Sequence, residues 1–194
     1  MSIGPDTTTV NRADLSAITG DYDIDPAHSR IGFASRHAMI ATVRGHFGEF
    51  TGWAHLDGDD PTRSTAELTI DVASITTGQQ QRDDHLRSGD FFDLEKWPNI
   101  TFRSTSVEVV DDETYRLHGD LTVRDTTRPV SIEFVYQGSS TDPYGNFRVG
   151  FEGSTTINRK DWGLNWNVAL EAGGILVGDK IKLEFDISAV KRQG

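Results

Sequence analysis

The feature that most constrains this chain is an alternation of period two. Ile31, Phe33, Ser35 and His37 share one side of an extended segment, while Arg30, Gly32, Ala34 and Arg36 take the other. Side chains along a strand point to opposite faces in turn, so such a segment carries an inner and an outer face. The pattern recurs at Val43, Gly45 and Phe47 and, after a bend expected at Gly48, at Phe50, Gly52, Ala54 and Leu56. It returns over 66–72, 100–109, 117–123, 130–136, 147–157 and 181–187. About eight strands result, most joined by short polar turns such as 57–61 and 142–145, the chemistry of antiparallel hairpins.

Two connections are longer. The segment 77–98 predicts a short helix over roughly Gln79 to Ser88, and 158–179 predicts a crossover from the seventh strand to the eighth. Trp162 and Trp166 stand four apart in that crossover, a spacing that would put both on one side of a helical turn. Long segments in a barrel tend to act as lids or plugs. Strands of this kind build either a sandwich or a barrel, and the inner face favours the barrel. It mixes Phe33, Phe47, Phe102 and Phe151 with Ser35, Gly45, Gly52, Ala54, Ala66, Gly119 and Gly153. A sandwich core is filled with bulk, whereas small concave residues leave room for a ligand. The expectation is an all-β, eight-stranded antiparallel barrel with an apolar interior, the helix and the crossover closing the pocket.

Residues 21–192 are read as one domain and 1–20, polar and rich in Thr and Asp, as a disordered tail. A net charge of −11 leaves no basic excess for nucleic acid or an anionic membrane surface. No apolar run is long enough for a membrane helix, and the N-terminus lacks the basic start and apolar stretch of a secretory signal, so a cytoplasmic protein is expected. With no cysteine, thiolate chemistry, disulfides and Cys-type metal sites are excluded.

The motifs then fall into a recognisable order. Tyr22-Asp-Ile24-Asp-Pro26-Ala-His28-Ser29, Phe33, His37 and Val43-Arg44-Gly45-His46-Phe47 are followed by Thr77-Gly78. Next come Arg82-Asp83-Asp84-His85-Leu86-Arg87-Ser88-Gly89-Asp90-Phe91-Phe92-Asp93 and Trp97-Pro98-Asn99-Ile100-Thr101-Phe102. Gly119-Asp120-Leu121-Thr122-Val123-Arg124 and Ile157-Asn158-Arg159-Lys160-Asp161-Trp162-Gly163 complete the series. This series resembles the YceI-like, polyisoprenoid-binding family. The resemblance implies a lipocalin-like barrel whose long pocket takes an isoprenoid quinone or polyprenyl chain, often in a homodimer. Asp125 stands at a turn position where the family commonly has glycine.

The candidate ligand-binding residues are Phe33, His37, Phe47, His85, Leu86, Phe91, Phe92, Phe102, Leu121, Phe151, Trp162 and Trp166. Arg44 and Arg159 are head-group candidates, because guanidinium forks suit pyrophosphate or quinone oxygens. No catalytic residue, metal or cofactor is expected, apart from the bound lipid. His28, His37, His46 and His55 recur every nine residues. Even so, the first two lie about 30 Å apart on an extended strand, too far to share a metal. Asp83, Asp84 and His85 point in different directions on a helix and form no dyad. They read as an acidic helix start with carboxylates at the positive end of the dipole. Trp53, outward by parity, is a candidate dimer contact. The chain is therefore read as an isoprenoid binder or carrier; the alternatives are a general fatty acid or amide carrier and a quinone-handling enzyme using His37 or His85.

Overall fold

Alternation on this scale demands partners for every strand edge, and a closed sheet supplies them. The computed structural model describes residues 15–171 and 173–194. Its strands are β1 (Gly20–Ile24), β2 (Arg30–His37), β3 (Ala41–Phe47), β4 (Phe50–Leu56), β5 (Thr65–Asp71) and β6 (Ile75–Thr76). They continue with β7 (Asn99–Val109), β8 (Thr114–Val123), β9 (Thr126–Thr141), β10 (Phe147–Asn158) and β11 (Val177–Lys191). One α-helix, α1 (Gln80–Arg87), follows β6. All pairings between these strands are antiparallel.

Three strand courses are interrupted. β1 and β2 lie along the same edge of β11, β3 and β4 divide at Gly48-Glu49, and a 3-10 turn at Val72–Ser74 separates β5 from β6. The segments therefore trace eight courses, each beside its chain neighbour, and β1 and β2 close the barrel on β11 through pairs such as Tyr22 with Lys191 and Phe33 with Leu183. This is the eight-stranded barrel that the alternation predicts. The turn after β8 puts Arg124, not Asp125, at a positive φ of 56°. An aspartate at 125 therefore carries no left-handed strain.

The packing corrects one step of the cavity argument. A Cβ placed on Gly45 or Gly119 would run into the ring of Phe33 or Phe102 respectively. At Gly153 it would come within 2.6 Å of Phe134, and at Gly52 within 2.6 Å of Ile24. These glycines do not open the interior directly. Each lets a large side chain lie flat against the barrel wall, and this is how the lumen stays clear.

A second correction concerns the N-terminus. Of the tail expected over 1–20, residues 1–14 lie outside the described residues. Leu15–Ile18 form a 3-10 turn and Gly20 already pairs with Leu56. Ile18 packs with Tyr22, Val149 and Ala189 in an apolar cluster of its own, because the barrel end would otherwise leave these side chains open to water.

Candidate functional site

Inward side chains of β10 and β11, among them Phe151, Ile157, Phe185 and Ile187, are only half-buried although they face inward. What they face is a cavity of about 640 Å³ with an almost wholly apolar wall. That volume is in the range of small-molecule sites. The cavity runs between two ends, one under α1 and the crossover after β10, the other against the 3-10 turn Leu15–Ile18 and the connection between β4 and β5.

Strand parity places most of the expected residues on its wall. Phe33 and His37 of β2, Phe47 of β3, Phe102 of β7, Leu121 of β8 and Phe151 of β10 all line it. From the long connections come His85 and Leu86 of α1, Phe91 and Phe92 just after it, and Trp162 and Trp166 of the crossover.

The two tryptophans do not share a helical face. A 3-10 turn over Arg159–Trp162 stops at Gly163, which takes a left-handed φ of 76°. Trp162 is buried and donates its Nε1 hydrogen to the Leu121 carbonyl at 2.9 Å. Beyond the stop, Trp166 swings towards α1 and sets its ring edge-on to His85, centroids 4.5 Å apart, with Phe91 5.4 Å away. His85 Nε2 meets Asp90 Oδ2 at 2.9 Å. His85, Phe91 and Trp166 thus form an aromatic closure between the helix and the crossover.

Neither arginine offers a free fork. Arg44 points outwards from β3, is largely exposed and lies 3.8 Å from Glu184, because its position has the opposite parity to Gly45. The head-group expectation for Arg44 is therefore corrected. Arg159 does line the cavity, yet its guanidinium is committed to the backbone. It donates to the carbonyls of Leu164 at 2.6 Å, Trp166 at 2.9 Å, Gly178 at 3.0 Å and Val177 at 3.3 Å. Burial lowers its pKa from the usual arginine value, and the nearby Asp179 carboxylate opposes that shift. Arg159 is a clamp holding the crossover to the first residues of β11.

The remaining polar motifs are structural. Asp83 is buried and accepts from the Thr77 amide at 2.8 Å and the Thr77 hydroxyl at 2.5 Å, which fixes α1 to the end of β6. Asp84 turns to solvent and pairs with Arg87 at 3.1 Å. His28 and His55 each meet an aspartate at 2.7 Å outside the cavity. Among the described residues, no group of three or more His, Cys, Asp or Glu is arranged to hold a metal ion.

Absent from the expectations is the N-terminal contribution to the far end of the cavity. Leu15 and Ile18 line it, together with Leu56, Tyr115 and Tyr136. The available signal was the pair of apolar residues three apart in an otherwise polar segment, the spacing of one helical turn.

Comparison with known proteins places this geometry. The YceI-like domain family matches residues 22–189. A UPF0312 protein of Pseudomonas aeruginosa is 37% identical over 154 residues, spanning 78% of this chain and 80% of the relative. A UPF0312 protein of Staphylococcus aureus is 35% identical over 165 residues, spanning 84% and 94%. Among solved structures, BcnA of Burkholderia cenocepacia matches with a TM-score of 0.74 at 23% identity, over 85% of this chain and 98% of that one. A polyisoprenoid binding domain from Saccharophagus degradans, implicated in plant cell wall breakdown, matches with a TM-score of 0.68 at 16% identity, over 88% and 98%. Both structural likenesses concern the fold.

Proposed function

The chain belongs to the YceI-like family, and on that premise we propose that it binds an isoprenoid lipid, a polyprenyl pyrophosphate or an isoprenoid quinone, inside the barrel and carries or sequesters it. The observation that carries this reading is the continuous apolar cavity, walled by phenylalanine, leucine and isoleucine, with polar side chains gathered at its ends. The polyisoprenoid binding named for the Saccharophagus domain supports the same ligand class.

The energetics need no reactive group. Each buried CH₂ contributes about 0.8 kcal/mol, so one isoprene unit contributes roughly 3 kcal/mol gross. Three or four units give about 10 kcal/mol before ordering costs, which suffices for micromolar binding without a strong head-group contact. This fits a site whose buried arginine, Arg159, is already committed to backbone carbonyls. A cytoplasmic location and assembly as a homodimer belong to the same reading, and are tested by cell fractionation and light scattering.

Mass spectrometry of the native, lipid-loaded protein tests the ligand. A bound mass that resolves into a head group plus repeating five-carbon units is expected. Recovery of fatty acids or amides alone would convert the protein into a general lipid carrier, and a barrel that loads nothing would end both readings.

A further inference from the structure

The far end of the cavity is closed in part by residues that precede the family match. The YceI-like domain covers residues 22–189, whereas Leu15 and Ile18, which line the cavity, stand upstream of it. We propose that Leu15 and Ile18 set the longest isoprenoid tail this barrel accepts. The inference rests on the isoprenoid reading above and adds a specificity determinant to it.

Three observations carry it. First, the turn is fixed firmly enough to act as a floor. The buried Tyr22 hydroxyl donates to the Ile18 carbonyl at 2.7 Å, the Gly58 amide donates to Thr19 Oγ1 at 2.9 Å, and the Ser16 carbonyl accepts from the Thr19 amide at 3.2 Å. Second, the floor presents the apolar side chains of Leu15 and Ile18 to the lumen, while its polar neighbours Asp57 and Ser64 are turned to backbone amides of the β4–β5 connection. Ser64 Oγ accepts from the Asp57 amide at 3.0 Å, and Asp57 Oδ1 accepts from the amides of Asp59 and Asp60 at 3.0 and 2.9 Å.

Third, the opposite end has the polarity for a head group. His37, Gln79 and Gln81 line the cavity there at its solvent-exposed mouth, and among the described residues their side chains make no hydrogen bond within the protein. A head group lodged beside them sends its tail towards Leu15 and Ile18. Once the tail reaches that floor, a further isoprene unit finds no lumen to bury itself in. Affinity then stops rising with length.

The test offers the full chain an equimolar mixture of isoprenoid pyrophosphates and straight-chain fatty acids of stepped length, and reads the bound lengths by native mass spectrometry. The unaltered protein is expected to show an upper cut-off in isoprenoid length. Leu15→Ala combined with Ile18→Ala moves that cut-off up by at least one isoprene unit, with the longer tail gaining about tenfold or more in occupancy relative to the shorter. Leu15→Trp moves it down. A loss of occupancy shared equally by all lengths, with the profile unchanged in every variant, would overturn the proposal and reduce the turn to a structural cap.

The two opposite shifts keep the test independent of any loss of stability, which acts in one direction only. A protein that takes only fatty acids from the mixture overturns the isoprenoid reading. In that case the shift of fatty acid length between the variants still decides whether the floor measures the tail. Failure to load either class would overturn both.

Discussion

The hydroxyl of Tyr22 donates to the carbonyl oxygen of Ile18 at 2.7 Å, with the tyrosine fully buried. This one bond joins the first strand of the barrel to the turn that closes its far end. Burial, together with the nearby Tyr136, pushes the Tyr22 pKa up to about 12.

The alkaline behaviour follows from that shift. Unfolded tyrosine ionises near pH 10, whereas Tyr22 in the folded barrel keeps its proton to about 12. Between these values the unfolded state binds fewer protons, so the contribution of Tyr22 is fully present below pH 10 and is lost as pH rises through 12. The loss is about 3 kcal/mol at most. Tyr22→Phe is expected to cost about 1 kcal/mol at neutral pH and to flatten the decline between pH 10 and 12, measured by denaturant unfolding. An unchanged alkaline slope in Tyr22→Phe would assign the decline to other groups.

At acid pH the relevant bridge is Arg148, which donates to Asp25 Oδ2 at 2.7 Å and Asp142 Oδ2 at 2.9 Å. Backbone amides around Asn146, together with Arg148, hold the Asp142 carboxyl far below its usual range; Arg148 and His28 lower Asp25. Groups with depressed folded pKa values stabilise the fold above their unfolded pKa and lose that contribution as pH falls through the folded one. Arg148→Met should therefore flatten the stability profile below about pH 4, read as thermal midpoint against pH.

Arg159→Met and Arg159→Lys test whether this side chain clamps the backbone or grips a head group. Removing the fork orphans the carbonyls of Leu164 and Trp166 and is expected to cost about 2–4 kcal/mol. Amide exchange should rise across 164–177. Affinity should drop by one common factor for an isoprenoid alcohol and for its pyrophosphate. A loss confined to the pyrophosphate would instead make Arg159 a head-group ligand.

The closure of His85 on Trp166 should govern release more than binding. An edge-on ring pair is worth about 0.5–1.5 kcal/mol, so His85→Ala is expected to speed dissociation by about 2- to 10-fold. In a single-turnover assay with bound quinone, His85→Ala and His37→Ala should match the unaltered protein. A rate that falls with either change would favour the quinone-handling enzyme.

Gly119→Val tests how the lumen is kept clear. Its new side chain meets the Phe102 ring and, at 2.6 Å, the Arg103 carbonyl. The cost is expected at about 1–3 kcal/mol. Relief of the ring contact comes from turning Phe102 into the cavity, while the contact with the Arg103 carbonyl remains, so lipid affinity should fall with stability. Combining it with Phe102→Ala should restore part of both.

What the sequence determined by itself is the barrel and its inner face. Period two assigns each side chain to a face without knowledge of its partner, so Phe33, Phe47, Phe102, Leu121 and Phe151 could be placed on the wall from parity alone. The same parity placed Gly45 correctly and its neighbour Arg44 outside, although the chemistry of arginine had argued for the pocket. Only the tertiary structure decided the rest. The fate of Arg159 depends on carbonyls up to nineteen residues away in the chain, and no local pattern encodes those distances. The role of each glycine depends on which ring crosses it from the next strand. The floor at Leu15 and Ile18 exists because Tyr22 and Gly58 hold a short N-terminal turn across the barrel end. Faces are set by backbone geometry within a strand; ends and clamps are set by contacts between distant segments, and these appear only once the sheet has closed.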